Sequence, residues 1–507
     1  MIESAWDYHR RTSYDRHDMT GHYMDWSCQP NVFKTYPGRE TEVLTQDIVL
    51  SQENLSDILI DNYAPVLDSE IDAVRLARIL HMTHALTAKA RHGGSDFYYR
   101  SVASAGALYP FELYIAALNV PNLDVGIYHH NVFSRSLTIL RPGNPLSEVS
   151  RAIGIEEKGQ PAAVFFLTSI FFRSSWKYRE RAYRYHLLDT GHLVENLCLS
   201  LKSERLRFKL HYDFEDRIVN ELLGLDTTRE VCLAAACVWG TAPFPAYRPP
   251  GLGNLAPDLG VCSRVSTREI DYPVIREIHT AASALIEPKE ELPEMIERLG
   301  IVVQSWTEVS MIGKSPEEMS YPDAVLQRRS MRNFVRDKMP WDYFTAILKA
   351  LCSDAVTKDN EPWSSNSVLS IGFLSGNVEG LKPGFYLLDR KNHAAIGFVR
   401  ESFMMEEMAH VCLDQAWLAN SALHFLFMSN LNTLEQTWGP RGYRYAMLSA
   451  GRLGQRIYLA ATSMRIGACG IGAFYDDEAV KLLGLNNQTN LLYLVCAGPI
   501  RKWSLPR

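Results

Sequence analysis

The spacing of apolar residues along the chain predicts alternating helices and strands. Apolar positions recur at helical spacing in Ile71–Thr83 and again from Tyr183 to about Leu201, where Gly191 lies inside the pattern. A continuous apolar run, Ala162–Phe172, indicates a buried strand. An interior glycine costs about 1 kcal/mol relative to alanine in a helix, so we expect the helix that contains Gly191 to pack closely against another element.

The remaining patterns predict the same order of elements in both halves of the chain. In the first half we expect a strand at Leu113–Ala117, a hairpin with its turn near Asn131–Arg135, and a second helix at Glu215–Leu223. In the second half we expect a helix after RRSMRNF, a largely helical stretch at Met408–Phe425, and a closing strand, LLYLVCAG. Each half is therefore predicted to be an α+β unit, with helices packed on a mainly antiparallel sheet.

One stretch of the chain occurs twice without a gap. Residues 181–225 and 441–485 lie 260 positions apart at both ends, and both copies close on Leu-Leu-Gly-Leu. A spacing this long is typical of a duplicated domain, because solenoid repeats have periods of about 20–50 residues. The expected divisions are a lead-in at 1–60, a first domain at 61–240, a Pro/Gly-rich linker and helical connector at 241–320, and a second domain at 321–507.

Composition argues against several kinds of partner and location. The chain has 507 residues, of which 47% are hydrophobic and 22% charged, and its net charge of −6 gives no reason to expect nucleic acid or an anionic membrane. The first residues lack the apolar core of a signal peptide, and the longest apolar run is too short to span a bilayer. Nine cysteines without a CxxC pattern indicate reduced thiols. We therefore expect a soluble cytoplasmic protein.

The segment RRSMRNF, residues 328–334, is the first candidate for chemistry. Three arginines and a serine within five residues suit a phosphate, because guanidinium groups bind phosphate oxygens in bidentate fashion. A nearby helix N-terminus would add amide donors. The alternative is a solvated arginine cluster that Phe334 anchors to the core.

Two segments of small residues are the next candidates. GACGIGAF at 467–474 and ASAGALYP at 103–110 would let backbone amides approach a planar ligand that a larger side chain holds away. A tight turn and a plain loop are the respective alternatives. The motif GxGxxG is absent, so neither segment matches a dinucleotide-binding fingerprint.

Lys177 and Tyr178 lie directly before the first copy of the repeat and are a candidate base and proton relay if they are buried. The alternative is an ordinary surface pair. His186 and His192 lie six positions apart on one predicted helix, so they do not share a face, and no third ligand has the spacing for zinc. We therefore predict no metal site.

Together these segments resemble the nitroreductase-like flavoprotein family, and within it the SagB/ThcOx-type dehydrogenases. The resemblance covers nearly the whole chain apart from the linker, and it is carried by YHRRTS, RSVASAGALYPFELY, FFRSSWKYRERAYRYHLLDTGH, RRSMRNF, GPRGYRYAMLSAGR and GIGAFYDD. It implies non-covalently bound FMN in a site shared between two protomers. The arginine-rich motif, the GIG turn and a basic group after the last strand come from one side, and the SAGAL loop comes from the other.

The two copies differ along this division. The second copy has RRSMR, GIGAF and Arg501–Lys502, whereas the first has HYDFED in place of IGAFYD and no RRS motif. The first copy has the SAGAL loop and Lys177–Tyr178, whereas the second has WSSNSVLS and Thr437–Trp438 at those positions. The resemblance therefore implies two tandem nitroreductase-like domains that form an internal pseudo-dimer with one composite FMN site per chain.

The resemblance also assigns roles to residues in that site. The implied catalytic residues are Lys177 and Tyr178, one of which takes up a proton while hydride passes from the substrate to flavin N5. The implied FMN-binding residues are Arg328, Arg329, Ser330, Arg332 and Arg501 for the phosphate and ribityl chain, Ile471, Gly472 and Ala473 beside N5 and O4, and Ser104, Ala105, Gly106, Ala107 and Leu108 from the other domain.

We therefore expect an FMN-dependent dehydrogenase that acts on a peptide or small molecule, with azoline-to-azole oxidation as the implied reaction and a cyclodehydratase as a candidate partner. One alternative is an NAD(P)H-dependent reductase of nitro compounds or quinones. Another is a non-catalytic flavin-binding scaffold subunit of a biosynthetic complex. A monomer and a homodimer both remain open, and neither nucleic acid nor a membrane is expected as a partner.

Overall fold

The fold was analysed in a computed structural model. It describes residues 2–19, 21, 23–59, 70–92, 95–154, 159–242, 251–287, 292, 294–310, 316, 319–353, 365–391 and 394–501. The proline-rich part of the expected linker, at 243–250, and Lys502 lie outside the described residues.

The elements of the first half are α1 Ala5–Arg11, β1 Thr41–Val43, α2 Leu55–Leu59, α3 Ala73–Thr83, β2 Leu86–His92, β3 Ser95–Arg100, β4 Phe111–Ala117, β5 Gly126–Asn131, β6 Ser136–Pro142, α4 Leu146–Ile153, β7 Ala163–Ile170, α5 Phe171–Tyr178, α6 Ala182–Ser203, β8 Arg207–His211, α7 Asp216–Leu223 and β9 Glu230–Trp239.

The elements of the second half are α8 Pro273–Ala281, β10 Ser305–Glu308, α9 Tyr321–Gln327, α10 Trp341–Cys352, α11 Ser365–Val368, β11 Ser370–Ser375, β12 Gly384–Asp389, β13 Ala395–Glu401, α12 Met405–Val411, β14 Leu423–Asn430, α13 Leu431–Trp438, α14 Arg441–Ser463, β15 Gly467–Ile471, α15 Asp476–Leu483 and β16 Thr489–Gly498.

Within the described residues, each half contains a seven-stranded sheet, and the two sheets have the same strand order. That order is β1-β6-β5-β4-β7-β9-β8 in the first half and β10-β13-β12-β11-β14-β16-β15 in the second. Neighbouring strands pair antiparallel, as β7 with β9 and β14 with β16. The central strands are buried along their whole length, which explains their continuous apolar runs. The expected α+β architecture with two tandem domains is confirmed.

The long helices α6 and α14 pack against each other in the centre of the molecule. All residues from Ala182 to Lys202 and all residues of α14 are buried. A Cβ atom on Gly191 would lie 2.3 Å from the carbonyl oxygen of Leu448, and one on Gly451 would lie 2.1 Å from the carbonyl oxygen of Leu188. Both distances are too short for any side chain, so the two helix backbones are in direct contact, as the interior glycine predicted.

Reciprocal buried ion pairs join the two halves on either side of this helix contact. Arg181 and Arg184 of the first half bind Asp476 at 2.7 and 2.6 Å. Their counterparts Arg441 and Arg444 bind Asp216, both at 2.7 Å. Burial alone would raise the pKa of the Asp216 carboxyl, but Arg444 and Arg441 hold it below its ordinary value. Each half therefore depends on the other to neutralise a buried charge.

The duplication extends into the lead-in and the connector. Strand β1 pairs with β6, and β10 pairs with β13, so both add an equivalent edge strand to their sheets. Helices α1 and α8 are also equivalent, because His9 lies 3.5 Å from Asp476 and His279 lies 3.8 Å from Asp216. The two sheets therefore include residues outside 61–240 and 321–507.

The structure differs from the sequence-based interpretation in three places. The stretch Met408–Phe425 contains α12, a short 3₁₀ turn and the start of β14, because a fully buried strand has the same apolar run as a buried helix. Gly467–Ile471 forms strand β15 and not a turn. Strand β7 ends at Ile170, because helix α5 begins at Phe171, whereas the strand was expected to continue to Phe172. The hairpin β2–β3 was not predicted from the sequence.

None of the helices in the described part of the chain combines the length and the apolar character that a membrane crossing requires.

Replacing Gly191 with alanine tests the helix contact. In an ordinary helix this change gains up to about 1 kcal/mol, but here the new methyl group would meet the carbonyl oxygen of Leu448. Overpacking of this kind costs about 1–3 kcal/mol or more. We therefore expect Gly191→Ala to lower the Tm by several degrees in thermal unfolding followed by circular dichroism.

Gly251→Ala is the matched control for this experiment. A Cβ atom at Gly251 would meet nothing within 4 Å, so its Tm should stay within a degree or so of the parent protein. A Gly191→Ala variant that is as stable as this control would contradict the close helix contact.

Candidate active site between the two domains

A cavity lies between the two halves, beside the contact of α6 with α14. Its lining residues from the first half are Ala103, Ser104, Ala105, Gly106, Tyr178, Tyr185, Leu188, Asp189 and His192. Its lining residues from the second half are Ser330, Arg332, Gln415, Tyr458, Cys469, Gly470, Ile471, Gly472, Ala473 and Tyr493. Segments that are far apart in the chain therefore meet at one place.

The loop before β4 forms one wall of the cavity. Ala105–Ala107 makes a 3₁₀ turn in which Gly106 and Ala107 have φ angles of 65° and 54°. The Ser104 hydroxyl lies 2.6 Å from Oδ2 of Asp189, and the Ala105 amide donates to Oδ1 at 3.1 Å. Burial raises the pKa of Asp189 to about 7, although these two hydrogen bonds act in the opposite direction. A carboxyl on helix α6 therefore holds the loop.

Lys177 and Tyr178 lie at the C-terminal end of α5, against the same loop. A Cβ atom on Gly106 would lie 2.9 Å from the Tyr178 hydroxyl and 3.3 Å from the Lys177 ammonium nitrogen. The ring of Tyr178 packs on that of Tyr185 with centroids 4.3 Å apart. Glycine at position 106 therefore lets the loop and the Lys-Tyr pair approach each other.

The environments of the pair give them different protonation preferences. Partial burial, helped by the nearby charge of Arg332, lowers the pKa of Lys177 below its ordinary value of 10.5. Burial, helped by the charge of Asp189, raises the pKa of Tyr178 well above its ordinary range. These surroundings therefore favour the neutral amine of Lys177 more than water does, and they favour the neutral hydroxyl of Tyr178.

Ser330 and Arg332 enter the cavity from the second half. The hydroxyl of Ser330 hydrogen-bonds that of Tyr458 at 2.9 Å, and Tyr458 in turn accepts the Gly470 amide at 2.6 Å. Arg332 is exposed at the mouth of the cavity. The amide of Arg501 donates to the carbonyl oxygen of Asn333, so this basic residue lies beside the arginine-rich segment.

Arg328 and Arg329 lie behind the cavity wall. The buried guanidinium of Arg328 donates to the carbonyl oxygens of Arg100 and Ser101, both at 2.8 Å. Arg329 donates to the carbonyl oxygens of Leu326, in the last turn of α9, and of Arg328, the residue that caps this helix. Arg328 therefore joins the two halves, and Arg329 closes the end of α9. The expected helix N-terminus is not adjacent, because α10 begins only at Trp341.

Two of the three glycines of GACGIGAF are required by tyrosine side chains. A Cβ atom on Gly470 would lie 1.8 Å from the Tyr493 hydroxyl, and one on Gly472 would lie 2.6 Å from the Tyr185 ring. The Tyr185 hydroxyl also donates to the carbonyl oxygen of Gly472 at 3.1 Å. Tyrosines from both halves thus pack directly on the backbone that lines the cavity.

A buried polar network closes the inner end of the cavity. Nδ1 of His192 lies 2.8 Å from Oε1 of Gln455, and its Nε2 lies 3.0 Å from the Tyr493 hydroxyl. Burial lowers the pKa of His192 to about 3, so the ring stays neutral. His192 is therefore a hydrogen-bonding link between the two halves.

The equivalent position on the opposite side of the helix contact is filled by large side chains. Tyr212 replaces Gly472, Trp438 replaces Tyr178 and Arg452 replaces His192, and all three are buried. Arg452 pairs with Glu195 at 3.1 Å. In place of the SAGAL loop, the described part of WSSNSVLS forms helix α11. The two inter-domain positions are therefore unequal.

The predicted site residues fall into two groups. The cavity brings together Ser104, Ala105, Gly106, Tyr178, Ser330, Arg332, Ile471, Gly472 and Ala473. Lys177 lies beside it against Gly106. Arg328, Arg329, Ala107, Leu108 and Arg501 are not among its described lining residues. The roles of the residues in both groups in binding a cofactor or in catalysis stay predictions.

Several lining residues had not been singled out in the sequence. They are Tyr185, Leu188, Asp189, Gln415, Tyr458 and Tyr493, and His192 had been considered only as a metal ligand. The sequence does contain a signal for Asp189 and His192. When the two copies are aligned, Asp189 corresponds to Ser449 and His192 corresponds to Arg452. Mismatches within an otherwise matching helix mark positions that the shared fold does not require.

Comparison with known proteins supports the duplicated organisation. The family model described as "Nitroreductase family" matches residues 67–241 and again residues 325–499, which together are more than half of the chain. The crystal structure titled "putative nitroreductase from anabaena variabilis" shares the fold over 99% of this chain and 100% of that one, with a TM-score of 0.78 and 24% identity.

Two curated relatives match parts of the chain. "Putative nitroreductase MJ1384" of Methanocaldococcus jannaschii is 26% identical over 179 residues, which are 35% of this chain and 90% of that protein. The microcin B17-processing protein McbC of Escherichia coli is 30% identical over 133 residues, which are 25% of this chain and 49% of McbC. The chain thus spans about half of the length of McbC. Because the family model accounts for both halves, the chain belongs to the nitroreductase family and carries its domain twice.

Proposed function

We propose that the chain is an FMN-dependent oxidoreductase of the SagB/ThcOx type with one composite cofactor site between its domains. The observation that supports this most strongly is the convergence of separate segments. The Ser104–Gly106 loop, Tyr178, Ser330 with Arg332, and Ile471–Ala473 were each predicted from different motifs, and all line one cavity. The enzyme class follows from the family, whereas the cofactor and the reaction belong to the proposal.

The residues present fit an anionic, planar ligand such as FMN. The cavity wall at Gly470–Ala473 exposes backbone beside two glycines and an alanine, with Ile471 as its one larger side chain, and Arg332 supplies a positive charge at the mouth. Behind the wall, the buried Nη1 of Arg328 has no hydrogen-bond partner among the described residues. The cavity opens to solvent and has a volume of about 160 Å³, below the roughly 300–1,000 Å³ of small-molecule sites, so it would enclose only part of a mononucleotide.

The roles of the protein residues follow from their surroundings. Arg332 would hold the phosphate, with Arg501 nearby, and the backbone at Gly472 and Ala473 would approach the ring system. When bound, FMN supplies the hydride-accepting chemistry. Lys177 would accept the proton that leaves the substrate together with the hydride, and Tyr178 would keep a neutral hydroxyl beside it.

The proposed substrate is an azoline ring in a peptide, which becomes an azole by losing one hydride and one proton. The similarity to McbC, a microcin-processing protein, supports a peptide substrate. A cyclodehydratase is then the expected partner, because it is the class of enzyme that supplies azolines from cysteine, serine or threonine residues. Oxygen or another two-electron acceptor would take the electrons in turn.

An Arg332→Ala variant tests the phosphate contact. A guanidinium–phosphate pair is a charge-assisted interaction, so we expect the FMN dissociation constant to rise about tenfold or more. Fluorescence titration of the apoprotein with FMN measures it. Arg336→Ala is the matched control, because Arg336 lies four residues further along, is exposed and pairs with Glu406. Equal affinity of the two variants would contradict this assignment of Arg332.

A Lys177→Met variant tests the proposed base. With FMN still bound, turnover of a thiazoline peptide should fall by about 10²–10⁴-fold, the usual contribution of a general base.

The parent rate should rise with pH and level off above the pKa of Lys177, which lies below 10.5. Arg332→Gln removes a charge that lowers this pKa, so under saturating FMN its rising limb should move to higher pH.

The alternative function is an NAD(P)H-dependent reductase, which the nitroreductase names of other relatives suggest. Anaerobic stopped-flow mixing with NAD(P)H distinguishes the two functions. Slow bleaching by NAD(P)H and fast bleaching by an azoline peptide support the dehydrogenase. Fast bleaching by NAD(P)H alone would instead favour a nitro or quinone reductase. Purified protein that binds no flavin at all would contradict both enzymes.

A further inference from the structure

Asp189 is the only acidic side chain among the described residues that line the cavity. It lies in the middle of α6 and is almost fully buried, with 3% of its surface exposed. Neither the fold nor the proposed proton transfer needs an acid there, because the equivalent position in α14 is Ser449. Among the described residues no arginine or lysine forms an ion pair with it, and a buried carboxyl without such a pair is costly. Its presence at the site therefore requires another explanation.

The contacts of Asp189 identify what it does. The Ser104 hydroxyl accepts the Tyr109 amide at 2.9 Å, which leaves its proton to be donated to Asp189. The Ala105 amide donates to the same carboxyl. Both donors belong to a loop in which Gly106, Ala107 and Tyr109 have positive φ angles of 65°, 54° and 45°. Alanine and tyrosine rarely adopt such angles unless their surroundings impose them.

We propose that Asp189 is a positioning residue whose carboxylate holds the Ser104–Leu108 loop against Lys177 and Tyr178, and whose protonation loosens that loop. Hydrogen bonds to an ionised acceptor are stronger than those to a neutral one. The loop is therefore held firmly when Asp189 carries its charge and loosely when it does not. The consequence for catalysis rests on the proposed function, because the loop forms one wall of the proposed FMN site.

Several ionisable or charged groups line the same cavity as Asp189 or lie beside it. They are Tyr185 and His192 on its own helix, Lys177 and Tyr178 at the end of α5, Tyr493 on β16, Tyr458 on α14 and Arg332 at the mouth. Burial keeps the tyrosines protonated and His192 neutral at physiological pH. Asp189, with a pKa raised to about 7 by burial, is thus suited to change its charge near neutrality.

The pH dependence has opposite signs for the loop and for the whole fold. The loop should be most protected above pH 7, where Asp189 is ionised, and least protected at pH 5.5. The raised pKa means that folding favours the protonated carboxyl, so this group stabilises the fold at low pH and that contribution is lost as pH rises through 7. Asp189→Asn cannot ionise, so its stability relative to the parent should increase between pH 5.5 and 8.5.

Hydrogen exchange of the full-length chain, followed by mass spectrometry on peptides covering 103–109, tests the proposal. Rates are divided by the intrinsic rate at each pH. In the parent protein we expect exchange to be about tenfold slower at pH 8.5 than at pH 5.5, the effect of strengthening a hydrogen bond by ionisation. Asp189→Asn should exchange faster at pH 8.5 and lose the pH dependence. Ser104→Ala should also exchange faster at pH 8.5 but keep part of the pH dependence, because the Ala105 amide still donates to Asp189. The double variant should show no pH dependence.

Ser449→Ala is the matched control, because Ser449 occupies the equivalent position in the other helix and should leave the loop peptides unchanged. Exchange of 103–109 in Asp189→Asn that matches the parent protein at both pH 5.5 and pH 8.5 would overturn the proposal. A parallel FMN titration separates the two hypotheses. If the loop responds as predicted but no FMN binds, the proposed function fails and the role of Asp189 stands. If FMN binds and the loop does not respond, the proposed role of Asp189 fails and the proposed function stands.

Discussion

The direct contact between helices α6 and α14 is the constraint on which the rest of the structure depends. Gly191 and Gly451 bring the two backbones together, and no side chain fits at either position. The contact relates the two halves by an approximate two-fold axis, which the reciprocal pairs of Asp216 and Asp476 with arginines of the opposite half maintain. Only with this orientation does the Ser104–Leu108 loop of one half meet strand β15 of the other.

An approximate two-fold axis creates two inter-domain positions, and the proposed site occupies only one of them. A homodimer repeats the same surface on both subunits, so it cannot change one position without changing the other. A fused chain can. Here Gly472 is matched by buried Tyr212, and Tyr178 by buried Trp438. Each half has kept one side of the site and used the other side for packing.

The sequence predicted the elements that repeat and missed those that depend on distant contacts. The gapless match of 181–225 with 441–485 located both long helices and the interior glycine contact. Strand β15 was missed because GACGI contains two glycines, which are depleted in strands, and pairing with β16 compensates for this. The role of Asp189 could not be derived locally, because its partner Ser104 is 85 residues away along the chain.

The number of FMN molecules that one chain binds tests the central claim most directly. Purified protein is saturated with FMN, freed of unbound flavin, and denatured, and the released flavin is measured by absorbance against protein quantified by amino-acid analysis. A single composite site between two unequal domains predicts one equivalent of FMN per chain. Two equivalents would contradict it, because the position filled by Tyr212, Trp438 and Arg452 would then also have to bind the cofactor.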